Sequence, residues 1–261
     1  MNLVKSLFAI PVLVALVAGC QSNPPQKTDD PKSANPAAGS VYPLTTSVSY
    51  ILPQKDSWGA KTLISNLPKS RFSAGFEGYV DTTIEQRGDH EFTVTRTLYS
   101  NKTEGFTRAH ATHRVAFSEQ LDPKTKTVQF KALDYEGDQI AVIGKWWIPK
   151  LKADEMVKYL GSSALPHAME IDSEFSESAI LANFQRILGP GVRIKDGTFE
   201  FSMEFRGRRV ALQVQVFPYR TGSKTLVRTK IPAVMDESSR TVNFVSLVSD
   251  FESHVSAIVK N

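Results

Sequence analysis

The sequence predicts an α+β fold made of two related units of antiparallel sheet with flanking helices. Runs of alternating apolar and polar residues, typical of half-buried strands, follow one another without the intervening helices that a parallel sheet requires. Segments with apolar residues at spacings of three and four precede and follow these runs, and they predict helices that cover one face of each sheet. The expected order in each unit is roughly α-β-β-β-β-α.

The first unit, residues 41–160, is expected to begin with a short helix near 57–67. Five segments with strand character follow, at residues 76–85, 91–99, 106–117, 127–133 and 140–147. Residues 154–160 are expected to form its closing helix. Residues 161–173 contain several turn-forming residues, Pro166 among them, and are therefore expected to link the two units.

The second unit, residues 174–261, shows the expected order more clearly. Ser176 is a suitable N-cap for a helix that runs to Leu188, and Gly189 ends it. Four strands follow, at residues 199–205, 210–216, 225–231 and 241–245. Apolar residues at spacings of three and four over 248–258 predict the closing helix.

Three landmarks occur in the same order in both units and suggest an internal duplication. They are Ser57 and Ser176 at the helix starts, Arg87-Gly88 and Arg206-Gly207 between strands, and the similar stretches 121–130 and 235–244. Chance similarity between residues that form turns is the alternative.

The first nineteen residues have the composition of a signal peptide. Lys5 supplies a positive charge, and residues 7–18 are almost wholly apolar. This apolar run of about a dozen residues is shorter than the roughly 20 that a helix needs to cross a bilayer. We therefore expect residues 1–19 to be cleaved.

The stretch Val17-Ala18-Gly19-Cys20 resembles the lipobox of bacterial lipoproteins. The resemblance implies cleavage before Cys20, addition of diacylglycerol to its thiol, and further acylation by a fatty acid such as palmitate. Each buried methylene contributes about 0.8 kcal/mol, so two or three chains hold a protein firmly on a membrane. Gln21 in place of an aspartate implies the outer membrane, facing the periplasm, with the cell surface or inner membrane as alternatives. The alternative interpretation is an ordinary secretory signal followed by an unrelated cysteine.

Residues 20–40 are expected to be the lipidated cysteine and a disordered tether, because residues 21–40 carry several prolines and no large apolar side chain. In polyproline II conformation the tether would reach about 60 Å, at about 3.1 Å per residue. The formal net charge of +4 is too small to indicate a nucleic-acid partner. Because Cys20 is the only cysteine, the chain has no internal disulfide.

Two surface features are candidate contact sites. Arg108, His110 and Arg114 alternate along one predicted strand and could face an anion; a solvated outer face of the sheet is the favoured alternative. The second feature is the stretch Lys145-Trp146-Trp147 with the nearby Lys150. Adjacent tryptophans in a strand point to opposite faces, so at least one could be exposed beside lysines, as at a headgroup surface or a protein interface. Burial of these side chains in the core and at the sheet edge is the favoured alternative.

No pattern indicates a catalytic, cofactor-binding or metal-ligating residue. His90-Glu91 lacks the second histidine of a zinc-protease helix and lies in a strand pattern. The sequence therefore favours a non-catalytic outer-membrane lipoprotein that acts as a binding or assembly accessory module for an envelope protein partner. The alternatives are a carrier that holds a lipid or other apolar ligand between sheet and helix, and an enzyme acting on envelope glycans or lipids.

Overall fold

The structure is a computed structural model that describes residues 40–73, 78–100, 107–137, 140–142, 145–147 and 150–261. The predicted signal peptide, Cys20 and the tether as far as residue 39 lie outside these ranges. The described residues form an α+β fold, mostly sheet, with two large sheets and flanking helices, which confirms the predicted class. Within them, no helix combines the length and apolarity that crossing a bilayer requires.

The first half of the chain supplies most of one sheet and two helices. In chain order its elements are β1 (Ser40–Val41), β2 (Ser47–Pro53), α1 (Ala60–Ser65), β3 (Arg71–Ser73), β4 (Gly78–Gln86), β5 (Glu91–Ser100), β6 (Thr107–Leu121), β7 (Thr125–Gly137), β8 (Ile140–Val142), β9 (Lys145–Trp147) and α2 (Ala153–Leu160).

The second half supplies the other sheet and two longer helices. Its elements are β10 (Ala164–Ser173), α3 (Glu177–Leu188), β11 (Val192–Arg193), β12 (Thr198–Phe205), β13 (Arg208–Tyr219), β14 (Gly222–Pro232), β15 (Met235–Asp236), β16 (Thr241–Asn243) and α4 (Phe244–Lys260).

In the first sheet, β3 to β7 form an antiparallel meander and β2 lies antiparallel to β7 at its end. Alternate residues of β2, Val48, Tyr50 and Leu52, are fully buried, as expected for a strand with one face against the core. The Tyr50 hydroxyl donates a hydrogen bond to the carbonyl oxygen of Leu160, which ends α2. This contact holds α2 against the sheet.

A β-bulge changes which residues of β7 face the core. Arg114 pairs with Asp134, but the next residue of β6, Val115, pairs with Ala132, so Leu133 is an extra residue in β7. A bulge of one residue shifts the alternation of side chains by one position. Tyr135 consequently lies beside the buried His113, with 5.7 Å between their ring centroids.

In the second sheet the strand order is β10-β14-β13-β12-β11, and α3 and α4 cover its inner face. Helix α3 begins as predicted, because the Ser176 hydroxyl accepts a hydrogen bond from the amide of Ala179 at 3.4 Å. It ends at Gly189, whose φ of +86° is readily adopted only by glycine. Phe184 of α3 stacks on Phe201 of β12, at 5.3 Å between ring centroids.

Two predictions on the domain organisation are wrong. Residues 161–173 are not a linker, because 164–173 form β10 and pair along their whole length with β14. The expected second unit is also not separate. Strand β16 does not join the second sheet but pairs in parallel with β2 of the first. The described residues all belong to one compact unit, and their buried side chains make one continuous core.

Some predicted elements differ in detail. The expected strand at 140–147 is a hairpin of the two short strands β8 and β9. The helix expected near 57–67 is reduced to α1, and its N-cap is Gly59 rather than Ser57.

The internal duplication is not confirmed. Its longest match aligns residues 121–130 with 235–244, yet Thr125–Gly137 belongs to the meander whereas β15 and β16 extend the sheet beyond β2. Both stretches instead contain a tight turn after an aspartate. Asp122 and Asp236 each accept a hydrogen bond from a hydroxyl two or three residues further on.

Candidate functional site

The described surface contains a groove of about 560 Å³ between the start of α1 with the segment before it, the turn before β5, and the strands β6 and β7. We call it the Trp58 groove. Its walls combine aromatic rings with charged groups of both signs, and its lining residues are Asp56, Ser57, Trp58, Gly59, Lys61, Thr62, Asp89, His90, Phe117, Glu119 and Lys126.

Trp58 is held firmly in the wall of this groove. Its carbonyl oxygen accepts a hydrogen bond from Nζ of Lys126 at 2.8 Å, and Nζ of Lys55 lies 4.4 Å from the centre of its ring. The ring is 5% exposed and also packs, tilted, against His167 of β10. Because Lys126 holds the backbone of Trp58 and His167 packs against its ring, this wall of the groove is preformed.

Glu119 positions α1 at the end of the groove. Helix α1 has no side-chain cap of its own, and Oε1 of Glu119 accepts a hydrogen bond from the amide of Ala60 at 2.6 Å. A Cβ atom at Gly59 would lie 2.8 Å from the same oxygen, so glycine makes this approach possible. Nζ of Lys126 lies 3.8 Å from Oε2 and balances the charge of Glu119.

The rim of the groove carries charges without partners. Asp56, Lys61, Asp89 and His90 are exposed, and in the described part of the chain none of their side chains forms an ion pair or hydrogen bond. Charged groups that remain hydrated at a rim contribute to selectivity and association rate when a partner arrives. The groove is therefore suited to binding a polar segment that has both apolar and charged groups.

His113 has a structural role. The Tyr42 hydroxyl donates to the carbonyl oxygen of Leu151 at 2.8 Å, so Nδ1 of His113 must donate the hydrogen bond that joins it to the Tyr42 oxygen. Nε2 accepts from the Leu151 amide at 3.2 Å. Burial, with the positive charges of Arg96 and Lys150, lowers the pKa of His113 to about 4. The neutral imidazole ties β6 to the segments before β2 and α2.

The predicted anion-facing row is only partly available to an anion. His110 is exposed and His113 is buried, so the two histidines face opposite sides of β6, as expected. Arg114 is neutralised, because its guanidinium donates to Glu91 at 2.9 Å and to Asp134 at 3.0 Å. Arg108 lies in β6, but its side chain lies outside the described residues.

Only part of the predicted tryptophan patch can be placed. Lys145, Trp146 and Trp147 form β9, which pairs with β8, and their side chains lie outside the described part of the chain. Nζ of Lys150 donates to the Tyr135 hydroxyl at 2.9 Å and lies 4.9 Å from the centre of that ring. Lys150 thus contacts the buried cluster around His113 instead of extending freely into solvent.

The sequence did not reveal that His167 is buried. Its side chain is almost fully buried between Trp58 and Phe251, and Nε2 lies 3.1 Å from Oε1 of Glu252. This short distance lacks the alignment of a hydrogen bond, and within the described residues neither ring nitrogen makes one. Burial and the charge of Lys55 lower the pKa of His167, and Glu252 opposes them. The alternation of β10 was the available signal, but Pro166 concealed it.

The inner face of the second sheet is filled by side chains, which disfavours a ligand cavity there. Phe201 stacks on Phe184, and Phe205 meets Phe251 edge to face at 5.7 Å. Leu212 is fully buried in the same core. Among the described residues, no group of three His, Cys, Asp or Glu side chains is arranged to hold a metal ion.

Comparisons with known proteins give no family. No family model matches the sequence, and no curated protein matches it. Among solved structures, the crystal structure of DynU16, a protein of the dynemicin biosynthetic locus, aligns with 82% of this chain and 96% of its own. The identity is 10% and the TM-score is 0.19, a level of similarity that carries no argument about function.

Proposed function

We propose that this protein is a non-catalytic lipoprotein of the outer membrane, facing the periplasm, that acts as a binding or assembly accessory module. The Trp58 groove is its contact site, and its partner is a polar segment of another envelope protein. The lipobox-like stretch ending at Cys20 and the proline-rich residues 21–40 support the anchor and the tether.

The functional part of this proposal is based on the Trp58 groove. It pairs a fixed aromatic wall, formed by Trp58 and Phe117, with unpaired charges of both signs at its rim. A fixed wall loses little conformational entropy when a partner binds against it. The charges around it would then select the partner.

Site-specific photo-crosslinking in the native envelope tests the proposal. A benzoylphenylalanine residue replaces Lys61 or His90 at the rim, and matched controls replace Lys158 on α2 or His254 on α4, which are also exposed. We expect one protein adduct from both rim positions and none from the controls. Equal adducts from all four positions, or none from the rim, would contradict the proposal. Stoichiometric copurified lipid in the absence of a protein adduct would favour the carrier function instead.

We also propose that the two halves arose by duplication, although by a different alignment from that of the sequence landmarks. Each half begins with a strand and a helix, continues as a meander, and places the first strand antiparallel to the last, as in β2 with β7 and β10 with β14. A sequence profile built from relatives of residues 47–160 should align with residues 164–260 in this order. A profile that aligns none of these strands would contradict the duplication.

A further inference from the structure

The edge of the second sheet presents apolar side chains to solvent. We call residues 186–195 the α3–β11 rim; they comprise the end of α3, the turn after it, β11 and the two residues that follow. Ile187 is 44% exposed, Val192 68% and Ile194 47%. Three large aliphatic side chains exposed within eight residues form a cluster, unlike the single exposed apolar residues that are common on protein surfaces.

Positive charges alternate with these aliphatic side chains. Arg186, Arg193 and Lys195 are exposed, and within the described chain none of them forms an ion pair. The guanidinium of Arg186 makes only a long hydrogen bond of 3.4 Å to Asn183. Asp196 and Glu200, which pairs with Val192, are the neighbouring acidic residues, so three cations stand against two carboxylates at the rim.

The rim is a firmly held part of the fold. Gly191 packs on the ring of Phe201 so closely that a Cβ atom there would lie 2.5 Å from it. Val192 and Arg193 then pair with β12, and among the described strands none pairs with the outer side of β11. The core therefore fixes the backbone, while the aliphatic and cationic side chains project from the edge of the molecule.

We propose that the α3–β11 rim docks on the surface of a membrane that contains anionic phospholipids. Its aliphatic side chains enter the boundary between headgroups and acyl chains, and its three cations lie among the lipid phosphates. Aliphatic groups beside an excess of cations match the requirements of interfacial binding, in which apolar burial and attraction to anionic lipids act together. This inference goes beyond the Trp58 groove and uses none of its residues.

A fluorescent label on the lipidated full-length protein in vesicles tests the docking. Because acylation occupies the thiol of Cys20, a cysteine introduced elsewhere is the free thiol. Pro190→Cys in the rim and Pro123→Cys in the β6–β7 turn can therefore each be labelled with nitrobenzoxadiazole. With vesicles of phosphatidylglycerol and phosphatidylcholine, we expect a blue shift and quenching by spin-labelled lipid at residue 190 alone. Mass spectrometry shows whether Cys20 is acylated, so failure of the anchor is distinguished from failure of docking.

Two sets of variants separate the apolar and electrostatic contributions. Replacing Ile187, Val192 and Ile194 by serine should lower the docking constant about fivefold per residue, or about 100-fold together, at low and high salt. Arg193→Gln with Lys195→Gln should lower it about fivefold per charge at low salt only. The matched control replaces exposed aliphatic residues elsewhere, Val41, Leu44 and Leu121, and should leave docking unchanged.

Several outcomes would overturn this proposal. It would be contradicted if the label at residue 190 showed the same emission shift and quenching as the label at residue 123. Docking that is equally strong on pure phosphatidylcholine would also contradict it. A concentration-dependent dimer that the serine variant abolishes would assign the rim to a second copy of the chain. The serine variant should still form the photo-adduct at residue 61, because that adduct reports binding at the Trp58 groove and not docking of the rim.

Discussion

Acidification should destabilise this protein through the buried imidazole of His113. The folded state holds the imidazole neutral, because burial and the nearby charges of Arg96 and Lys150 lower its pKa from 6.5 to about 4. In the unfolded chain the imidazole takes up a proton near its ordinary pKa. Between these two values the unfolded state binds more protons than the folded state, so stability decreases as the pH falls.

The size of the effect follows from the pKa difference at His113. One pKa unit corresponds to 1.36 kcal/mol, so the shift from 6.5 to about 4 corresponds to about 3 kcal/mol. This contribution is fully present above pH 6.5 and is lost progressively as the pH falls towards 4. His167 acts in the same direction, because burial also lowers its pKa.

Urea unfolding from pH 7 to pH 4 measures the effect when wild type is compared with His113→Gln. The variant should lose the part of the pH dependence that His113 contributes, although its stability at pH 7 also falls because the Tyr42 network is broken. His110→Gln, at an exposed position on the opposite face of the same strand, is the matched control for the loss of a histidine from β6. Identical pH dependence in wild type and His113→Gln, or an NMR titration of His113 near 6.5, would refute the argument.

Four further changes have defined outcomes. Glu119→Ala removes the acceptor for the Ala60 amide and should lower the free energy of unfolding by about 1 to 2 kcal/mol in urea titrations. Phe251→Ala empties a fully buried position and should cost about 3 to 5 kcal/mol; a loss below 1 kcal/mol would contradict the packing described. Gly222→Ala brings a Cβ to 2.0 Å from a backbone oxygen and should lower Tm by several degrees. Cys20→Ser should leave an unlipidated precursor that keeps residues 1–19, seen as a larger chain without incorporated labelled palmitate; unchanged incorporation of palmitate would contradict the anchor.

Strands with one buried face could be predicted well from the sequence. Residues 199–205 and 210–216 alternate strictly, and they form β12 and β13 close to the expected positions. Strand β10 escaped prediction because Pro166 and His167 interrupt its apolar alternation, and because turn-forming residues precede it. The position of Pro166 on an edge strand explains why the sheet tolerates it.

The candidate site depends on contacts that no local pattern reveals. His113 is polar on a core-facing row, and its partners Tyr42 and Leu151 lie 71 and 38 residues away. The Trp58 groove forms only when the segment before α1 meets β6 and β7, through Glu119 and Lys126. Periodicity predicts which face of a strand is buried, but it does not show which distant segments meet there.

The parallel pairing of β16 with β2 has a consequence for the order of folding. Almost 190 residues separate the end of β2 from the start of β16, so the first sheet gains its last neighbour only when these two distant segments meet. Contacts between such distant segments form late and slowly, because a long loop must close first. During that interval one edge of β2 is open to other chains. A chaperone that covers this edge of β2 would therefore protect the chain until β16 pairs with it.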